Sequence, residues 1–344
     1  SRDDVVSYPQ ASYVSVHFSG FNLPEGDLVV VRSPDSEVAH FYTGKGRDDR
    51  EDFIASYIPG DTAIVQYFSA TQGSASAAPS YTISGFSRGF PNAAHESICG
   101  TDNTRPANAA TPNAPYYNEA GVYQIGTQEA LNVTVAAGLS RDDVVSYPQA
   151  SYVSGHLITN QHCIETAADA KVIDIEFAAE SASCADECTA QLGCKGVIAA
   201  TTSTFITNSP ISTGHDYALL KLPATANIAA YNYLQLRASG PVLNERIYIP
   251  QHPGGKAKRI SSVLDNGSNA IVESVTTSNS CGSGQVGYNA DTEPGASGSP
   301  LIAASDNKVI ALHHCGGCRN SAINIKNVIA DLKAKGITVK DLVA

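Results

Sequence analysis

The sequence contains no methionine and no tryptophan, and charged side chains make up only 16% of its 344 residues, against about 25% in an ordinary soluble chain. Basic residues are the scarcer sign: 22 Lys and Arg stand against 33 Asp and Glu, a net charge of −11. Nucleic acids and anionic lipids are bound through clustered basic side chains. The densest cluster here, Lys256, Lys258 and Arg259, is too short for either. The composition therefore predicts neither a nucleic-acid nor a membrane partner. No run approaches the roughly 20 apolar residues of a membrane-crossing helix, and no basic-then-apolar leader opens the chain. Without a methionine, Ser1 is read as the start of a processed form or an excerpt.

Hydrophobic residues reach 42%, which excludes a disordered chain. The length suits two domains, and a chain of this size can bury about three quarters of its unfolded surface without help from a metal or a disulfide. The eight cysteines (Cys99, Cys163, Cys184, Cys188, Cys194, Cys281, Cys315 and Cys318) form no pair of CxxC motifs, which argues against a zinc ribbon. Their even number, with few charges and abundant Ser, Thr, Asn and Gly, predicts a secreted, disulfide-bonded, extracellular protein. Asn132 and Asn266 head N-x-S/T triplets that would be surface acceptors. His17, His40, His95, His156, His215 and His252 lack a companion at metal-ligand spacing and read as structural or surface residues. The acidic run Asp48-Asp49-Arg50-Glu51-Asp52 reads as a solvated loop rather than a calcium site. No metal and no cofactor is expected.

One feature is out of keeping with the rest. The fifteen residues from Ser1 to Ser15 recur without change from Ser140 to Ser154, and the similarity stops on both sides. Repeat architectures need about three units, and structural copies drift apart. One perfect short copy is therefore read as an error of sequence assembly in preference to a recent duplication.

The pattern is all-β. Val14–Phe18, Leu28–Val31, Val38–Tyr42, Phe53–Ile58, Ala63–Phe68 and Tyr81–Phe86 read as short strands separated by turn chemistry such as Leu23-Pro24-Glu25-Gly26-Asp27. That rhythm predicts an N-terminal β-sandwich or jelly roll over residues 1–90. Ala70–Pro79 is a small-residue loop, and 91–121, rich in Pro, Asn, Ala and Thr, reads as a linker or extended arm. Residues 122–344 are again short strands, ending in a helix that carries Ile325, Val328, Ile329 and Leu332 on one face and stops at Gly336.

Three segments carry chemistry. In Pro294-Gly295-Ala296-Ser297-Gly298-Ser299-Pro300, small neighbours let Ser297 sit on a tight turn and let a substrate carbonyl reach the amides of Gly295 and Ser297. Such donors form an oxyanion hole, each worth about 10²–10³ in rate. A nucleophilic serine needs a base, and the base an orienting carboxylate. His162, after the apolar Leu157-Ile158, supplies the first, and Asp216, opening Tyr217–Leu222, the second. Alone, each segment has an ordinary reading: a Gly/Ser loop, a structural histidine beside a cysteine, a turn aspartate. In the order His162, Asp216, Ser297 they are far more specific.

These segments resemble the catalytic motifs of chymotrypsin-fold serine proteases, T-x-x-H-C, D-x-A-L-L-x-L and G-x-S-G-x-P. Thr292–Pro300 and Gln251–Ser261 are most similar to the bacterial lysyl endopeptidases, and Leu312-His313-His314-Cys315-Gly316-Gly317 to both those and the glutamyl endopeptidases. The N-terminal strand rhythm resembles CUB-like modules. The resemblance covers roughly residues 95–335. It implies a double β-barrel with its site in the crevice, and an enzyme, a serine endopeptidase, with His162 as general base, Asp216 as its orienter and Ser297 as nucleophile. Its partners would be protein or peptide substrates and proteinaceous inhibitors. A protease-like binding protein without turnover is the competing class.

The sequence departs from the family at three places. Ala296 stands where animal trypsins have the aspartate that pairs with a freed N-terminus. The segment before His162 lacks a cysteine, so Cys163 must look downstream, with Cys184 the nearest candidate; closing that loop would be worth about 3 kcal/mol. A long arm bears Cys99, which by resemblance would pair near Cys315 or Cys318.

For specificity, Asp291 lies six residues before Ser297, at the position of the basic-specificity aspartate of trypsin-like enzymes. A buried carboxylate that gains a Lys or Arg partner escapes a penalty of about 3–5 kcal/mol, so cleavage after Lys or Arg is expected. The rival is a pocket in which His313 or His314 binds a glutamate side chain. The strand Ala311–Gly317, with Gly316 and Gly317 at its end, would pair an extended peptide.

Overall fold

The computed structural model of the chain describes residues 2–9, 11, 13–70, 80–88, 98–106, 134–138, 149–153, 155–171, 173–182, 188, 194, 196–228, 231 and 233–344. Residues 71–79, most of 91–121, His95, Asn132, Cys184, and 140–148 and 154 of the second fifteen-residue copy lie outside that set. The architecture is mainly β-sheet, with a helix near the C-terminal end. It divides into two compact units, one carrying strands β1 to β8 and the other β9 to β23 with both α-helices.

The first unit contains β1 (Arg2–Ser7), β2 (Tyr13–Ser19), β3 (Leu28–Arg32), β4 (Ala39–Tyr42), β5 (Phe53–Ile54), β6 (Ile58–Pro59), β7 (Thr62–Phe68) and β8 (Thr82–Arg88). They form two antiparallel sheets: β1-β7-β3-β4, and β5-β2-β6 with β8 also pairing β2. Alternation aims Ala63 and Val65 of β7, Val29 and Val31 of β3, and Val14, Val16 and Phe18 of β2 into one shared core. Burying each Val or Phe contributes about 1.5–3 kcal/mol. Phe18, Phe21 and Phe53 close that core with ring centroids 5.1–5.2 Å apart.

Two details differ from the expected strands. Phe53–Ile58 is broken in two, because the Ala55 amide turns to the Val16 carbonyl (2.8 Å) and the Ser56 amide to the Tyr42 hydroxyl (2.7 Å). The polar strand β1 pairs with β7 along its whole length, from Arg2 opposite Tyr67 to Ser7 opposite Thr62.

In the second unit, β10 (Thr134–Gly138), β11 (Gln149–Val153), β12 (His156–Thr159), β13 (Asp174–Phe177), β14 (Val197–Ala200), β15 (Thr204–Ser209) and β16 (Tyr217–Lys221) make one antiparallel sheet, in the order β14-β13-β10-β11-β12-β16-β15. The other contains β9 (Arg105–Pro106), β17 (Ile247–Gln251), β18 (Arg259–Ser261), β19 (Ser274–Asn279), β20 (Gly282–Tyr288), β21 (Pro300–Ala303), β22 (Val309–Cys315) and β23 (Asn320–Asn324), in the order β19-β20-β23-β22-β21-β17-β18-β9. Both sheets are antiparallel, and with the helix near the C-terminal end they make the expected all-β architecture. The repeated fifteen-mer contributes a strand in each unit: Tyr13 of the first copy pairs Pro59, while Tyr152 of the second pairs Leu157.

A short helix, α1 (Ala167–Lys171), follows the His162 loop, and α2 (Ile325–Ala334) ends the fold. The Asn324 side chain caps α2 by accepting from the Lys326 amide. At its end Gly336, at φ 70°, lets its own amide reach Lys333 and that of Ile337 reach Leu332, which closes the last carbonyls. Val328 and Leu332 pack in one buried cluster with Leu219 and Leu220 of β16 and Leu312 of β22.

A polar clamp adds to this packing: Tyr217 (2.7 Å), Ser209 (2.6 Å) and Lys335 (2.6 Å) all donate to Asp331 Oδ2. Burial opposes the charge, but Lys335, Ser209 and Tyr217 outweigh it and hold the Asp331 carboxyl at about 2. Asp331→Asn is expected to cost about 1.5–3 kcal/mol in urea denaturation near neutral pH. Because the folded pKa is depressed, that contribution is full above the unfolded carboxyl's pKa and fades as pH falls through about 2.

Candidate active site

Register builds the first half of the site. Strands β12 and β16 run antiparallel with Thr159 opposite Ala218. The loop that leaves β12 therefore meets the residues that enter β16, and His162 comes to lie against Asp216. Asp216 is fully buried. Its Oδ1 accepts from the His162 amide (3.1 Å) and its Oδ2 from the His162 ring at Nδ1 (2.8 Å). Its backbone stands at φ 28°, a region L-residues rarely occupy, and the Asn160 side chain donates to its carbonyl (2.9 Å). That bond ties the first residue after β12 to the residue before β16.

The electrostatics follow from burial and pairing. Burial opposes ionisation of Asp216, but bonds from His162 and His314 outweigh it and hold the carboxyl well below its ordinary value. Burial likewise disfavours the His162 imidazolium, yet the adjacent Cys163 sulfur and the Asp216 carboxylate raise its pKa above 6.5. The side chain is 36% exposed, so its far edge is open to a substrate or to solvent.

The second half is built on β21 and β22, paired with Pro300 opposite Leu312. Ahead of β21 the chain makes two successive tight turns: the Ala296 amide returns to the Glu293 carbonyl (3.0 Å), and the Ser299 amide to the Ala296 carbonyl (2.9 Å). The third residue of each is a glycine at positive φ, Gly295 at 98° and Gly298 at 90°, as type II turns require. Ser297 is the second residue of the latter turn. The His313 backbone then brackets the segment, its carbonyl taking the Gly298 amide and its amide the Ser299 carbonyl, both at 2.9 Å. The next residue on β22, His314, donates from Nδ1 to Asp216 Oδ2 (3.1 Å). One strand thus joins the Ser297 turn to the His162–Asp216 pair.

The expected substrate-binding residues fare differently. Asp291 is almost fully buried, and both its carboxylate oxygens accept amides of the segment 98–106: Oδ1 from Cys99 (2.9 Å) and Oδ2 from Asn103 (2.8 Å). The same segment is held by Asp265 on Thr101 (3.0 Å) and by the Arg259 guanidinium on Thr104 (2.6 and 2.7 Å). His313 is buried, with its Nδ1 bonded to the Tyr288 hydroxyl. His314, expected to face a substrate carboxylate, instead serves Asp216. Gly316 and Gly317 lie between two disulfides, Cys281–Cys315 and Cys99–Cys318, and Cys188 bonds Cys194. Cys163 is a buried free thiol, while Cys184, its expected partner, is not among the described residues.

Sequence reasoning missed two structural tasks. Nothing marked His314 as a ligand of Asp216 rather than of substrate, since adjacent histidines on a strand carry no signal of facing. The arm's amides were likewise silent, because backbone donors leave no trace in a sequence.

Residues 144–312 match the trypsin-like peptidase domain, and nearly all of them lie in the second unit. Over 340 residues the chain is 35% identical to secreted RxLR effector protein 73 of Plasmopara viticola, covering 95% of this chain and 80% of that one, and it belongs to that protein's family. Among solved structures it is similar to the Rv3671c protease from M. tuberculosis in its active form, at 15% identity over 68% of this chain and 89% of that chain, with a TM-score of 0.45. It is also similar to the HtrA-type protease AlgW solved with a tripeptide, at 17% identity over 61% and 62%, with a TM-score of 0.42.

The pair can be checked without any substrate. In an NMR titration the His162 imidazole is expected to change charge above 6.5. Asp216→Asn removes a charged partner worth about 1.5–3 kcal/mol and should bring the midpoint down by about one to two pH units. A midpoint that stays where it was would mean that the carboxylate does not hold the ring.

Proposed function

We propose that the second unit is a serine endopeptidase in which Ser297 attacks the scissile carbonyl, His162 takes and returns the proton, and Asp216 fixes the imidazole. The amides of Gly295 and Ser297 would stabilise the oxyanion. One observation carries this reading: a buried carboxylate takes both the backbone and the ring N–H of His162, while β22 binds the Ser297 turn to the same carboxylate. Such an arrangement supplies base, orienter and nucleophile in the roles acyl transfer needs. Extended peptide substrates would pair with the end of β22 near Gly316 and Gly317. Secretion is supported by the disulfides and by the relative described as a secreted effector. The first unit, with the strand rhythm of a CUB-like module, would serve as a retained pro-region or a substrate-binding module.

Cleavage after Lys or Arg rests on Asp291. A second reading, cleavage after Glu, is favoured by a specific observation: the Asp291 carboxylate already serves the amides of Cys99 and Asn103, while buried His313 stands on the strand that brackets the Ser297 turn.

A fluorophosphonate probe should label the wild-type chain and not Ser297→Ala; an unlabelled wild type would identify a protease-like binding protein instead. Among chromogenic peptides with Lys, Arg or Glu before the scissile bond, Asp291→Ser should lower kcat/KM for the basic ones by about 10²–10³ if Asp291 recognises them. Loss of Glu cleavage in His313→Leu, with Lys cleavage absent throughout, would establish the second reading.

A further inference from the structure

The peptidase chemistry makes no use of the triplet Asn266-Gly267-Ser268. A folded chain can carry a sugar on an Asn-x-Ser/Thr triplet only where the asparagine nitrogen is in solvent and the fold does not need it. Asn266 stands at the tip of a hairpin that follows β18. Val263 and Asn269 pair antiparallel across it. The Leu264 amide donates to the Ser268 carbonyl (2.9 Å) and the Gly267 amide to the Leu264 carbonyl (2.8 Å). Asp265, Asn266 and Gly267 are thus a three-residue loop with a glycine at its left-handed position, φ 76°. Asp265 to Ser268 are all exposed, and a Cβ placed on Gly267 would meet nothing within 4 Å. The tip has room for a bulky group.

The two polar atoms of the Asn266 side chain are already sorted. Oδ1 accepts the Ser268 amide at 2.9 Å. A backbone N–H can only donate, so the oxygen must face the turn. Nδ2 makes no hydrogen bond among the described residues. The hairpin uses the oxygen, and a sugar takes the nitrogen. We propose that Asn266 is an N-glycosylation site, with an oligosaccharide carried on a lipid pyrophosphate as donor. Nδ2 bonds to the anomeric carbon, and the bond from that carbon to the pyrophosphate oxygen breaks. The lipid pyrophosphate leaves with the electron pair, and one Nδ2 proton passes to a base. Oδ1 and its bond to the Ser268 amide are unchanged. The inference rests on the reading of the chain as secreted, and not on the catalytic groups.

The place of this hairpin gives the sugar a task. Asp265, the preceding residue, accepts the Thr101 amide (3.0 Å) and the Asn103 side chain (2.6 Å). Cys99–Cys318 ties down the same segment, 98–106. A bulky, hydrated group on Asn266 stands beside that segment and shields it from proteases.

The test exports the full-length chain from a eukaryotic cell behind a fused leader and reads the peptide carrying Asn266 by mass spectrometry. Peptide-N-glycosidase in heavy-oxygen water should leave a labelled aspartate at position 266 in most molecules, whereas earlier spontaneous deamidation leaves an unlabelled one. Release should need no denaturant, because the tip is exposed. Ser268→Ala should lose the label and Ser268→Thr should keep it. A bare Asn266 in the exported wild type overturns the proposal whatever the variants do, and so does a label that persists in Ser268→Ala or a glycan released only after denaturation. Once the glycan is removed, an added protease should cut segment 98–106 severalfold faster; an unchanged rate overturns the shielding. A chain that its own source keeps in the cytosol brings down secretion and this proposal together, while an exported chain with a bare Asn266 brings down the glycosylation alone.

Discussion

Burying a carboxylate is among the most expensive things a fold can do, and much of the second unit is organised around the fully buried one at Asp216. The penalty for taking the charge out of water is several kcal/mol unless every oxygen is matched. The match comes from three donors in two places: the His162 amide and ring from the loop after β12, and the His314 ring from β22. The β12–β16 register, with Thr159 opposite Ala218, brings the first pair within reach. The chain accepts an unfavourable backbone angle at Asp216 to aim the carboxylate, and Asn160 binds the carbonyl that this angle displaces. A one-residue slip between β12 and β16 would turn every side chain of the strand to the opposite face. The buried run Tyr217-Ala218-Leu219-Leu220 makes that slip costly, so the hydrophobic core and the polar site enforce the same register.

The second sheet depends on a comparable economy. All seven residues of β22 are buried, so the strand cannot shift without exposing its core side chains. Its backbone brackets the Ser297 turn through His313, its side chain at His314 reaches Asp216, and its end is fixed by Cys281–Cys315. Past that end, Cys99–Cys318 ties in the segment that binds Asp291 and Asp265. Asp291 thus links the stretch leading to Ser297 to chain nearly two hundred residues earlier in sequence. Of the links to this segment only the covalent Cys99–Cys318 bond, with a sequence separation of 219, also constrains the unfolded chain.

The segments carrying His162, Asp216 and Ser297, and the strands named for the first unit apart from Phe53–Ile58, were legible because each is a local pattern. Glycines at two positions of one heptapeptide announced the turns around Ser297, and the apolar run after Asp216 announced a buried strand. The helix α2 was legible from its apolar spacing and its glycine stop. Long-range pairing was not. Strand β1 is rich in charge, and only its partner β7 makes it a strand. The break between Phe53 and Ile58 is produced by the Val16 carbonyl and the Tyr42 hydroxyl, residues a local reading does not bring near. Asp291 at a familiar distance from Ser297 looked like a specificity determinant, yet its partners are amides of a segment whose composition suggested only an arm.

The Ser297 turn has Ala296 where animal trypsins carry the aspartate whose ion pair orders the corresponding loop. Ala296 is fully buried, so a charge at that position would be cut off from solvent. Order must come from elsewhere, and the loop following β17 supplies it. The Gly254 amide donates to the Pro294 carbonyl at 2.8 Å, and Lys256 reaches Glu293 at 3.3 Å. The ion pair is partly exposed and worth only about 0–1 kcal/mol. The backbone bond counts for more, because it fixes the first turn at the residue before Gly295. Gly254 sits at φ 61°, where a side chain would be strained. The two glycine turns, one backbone bond between loops and the ladder to His313 all hold the Ser297 turn, and none of them involves a chain terminus. The turn is held by interactions with the second sheet and its loops, which makes the geometry of the Ser297 turn a property of that sheet.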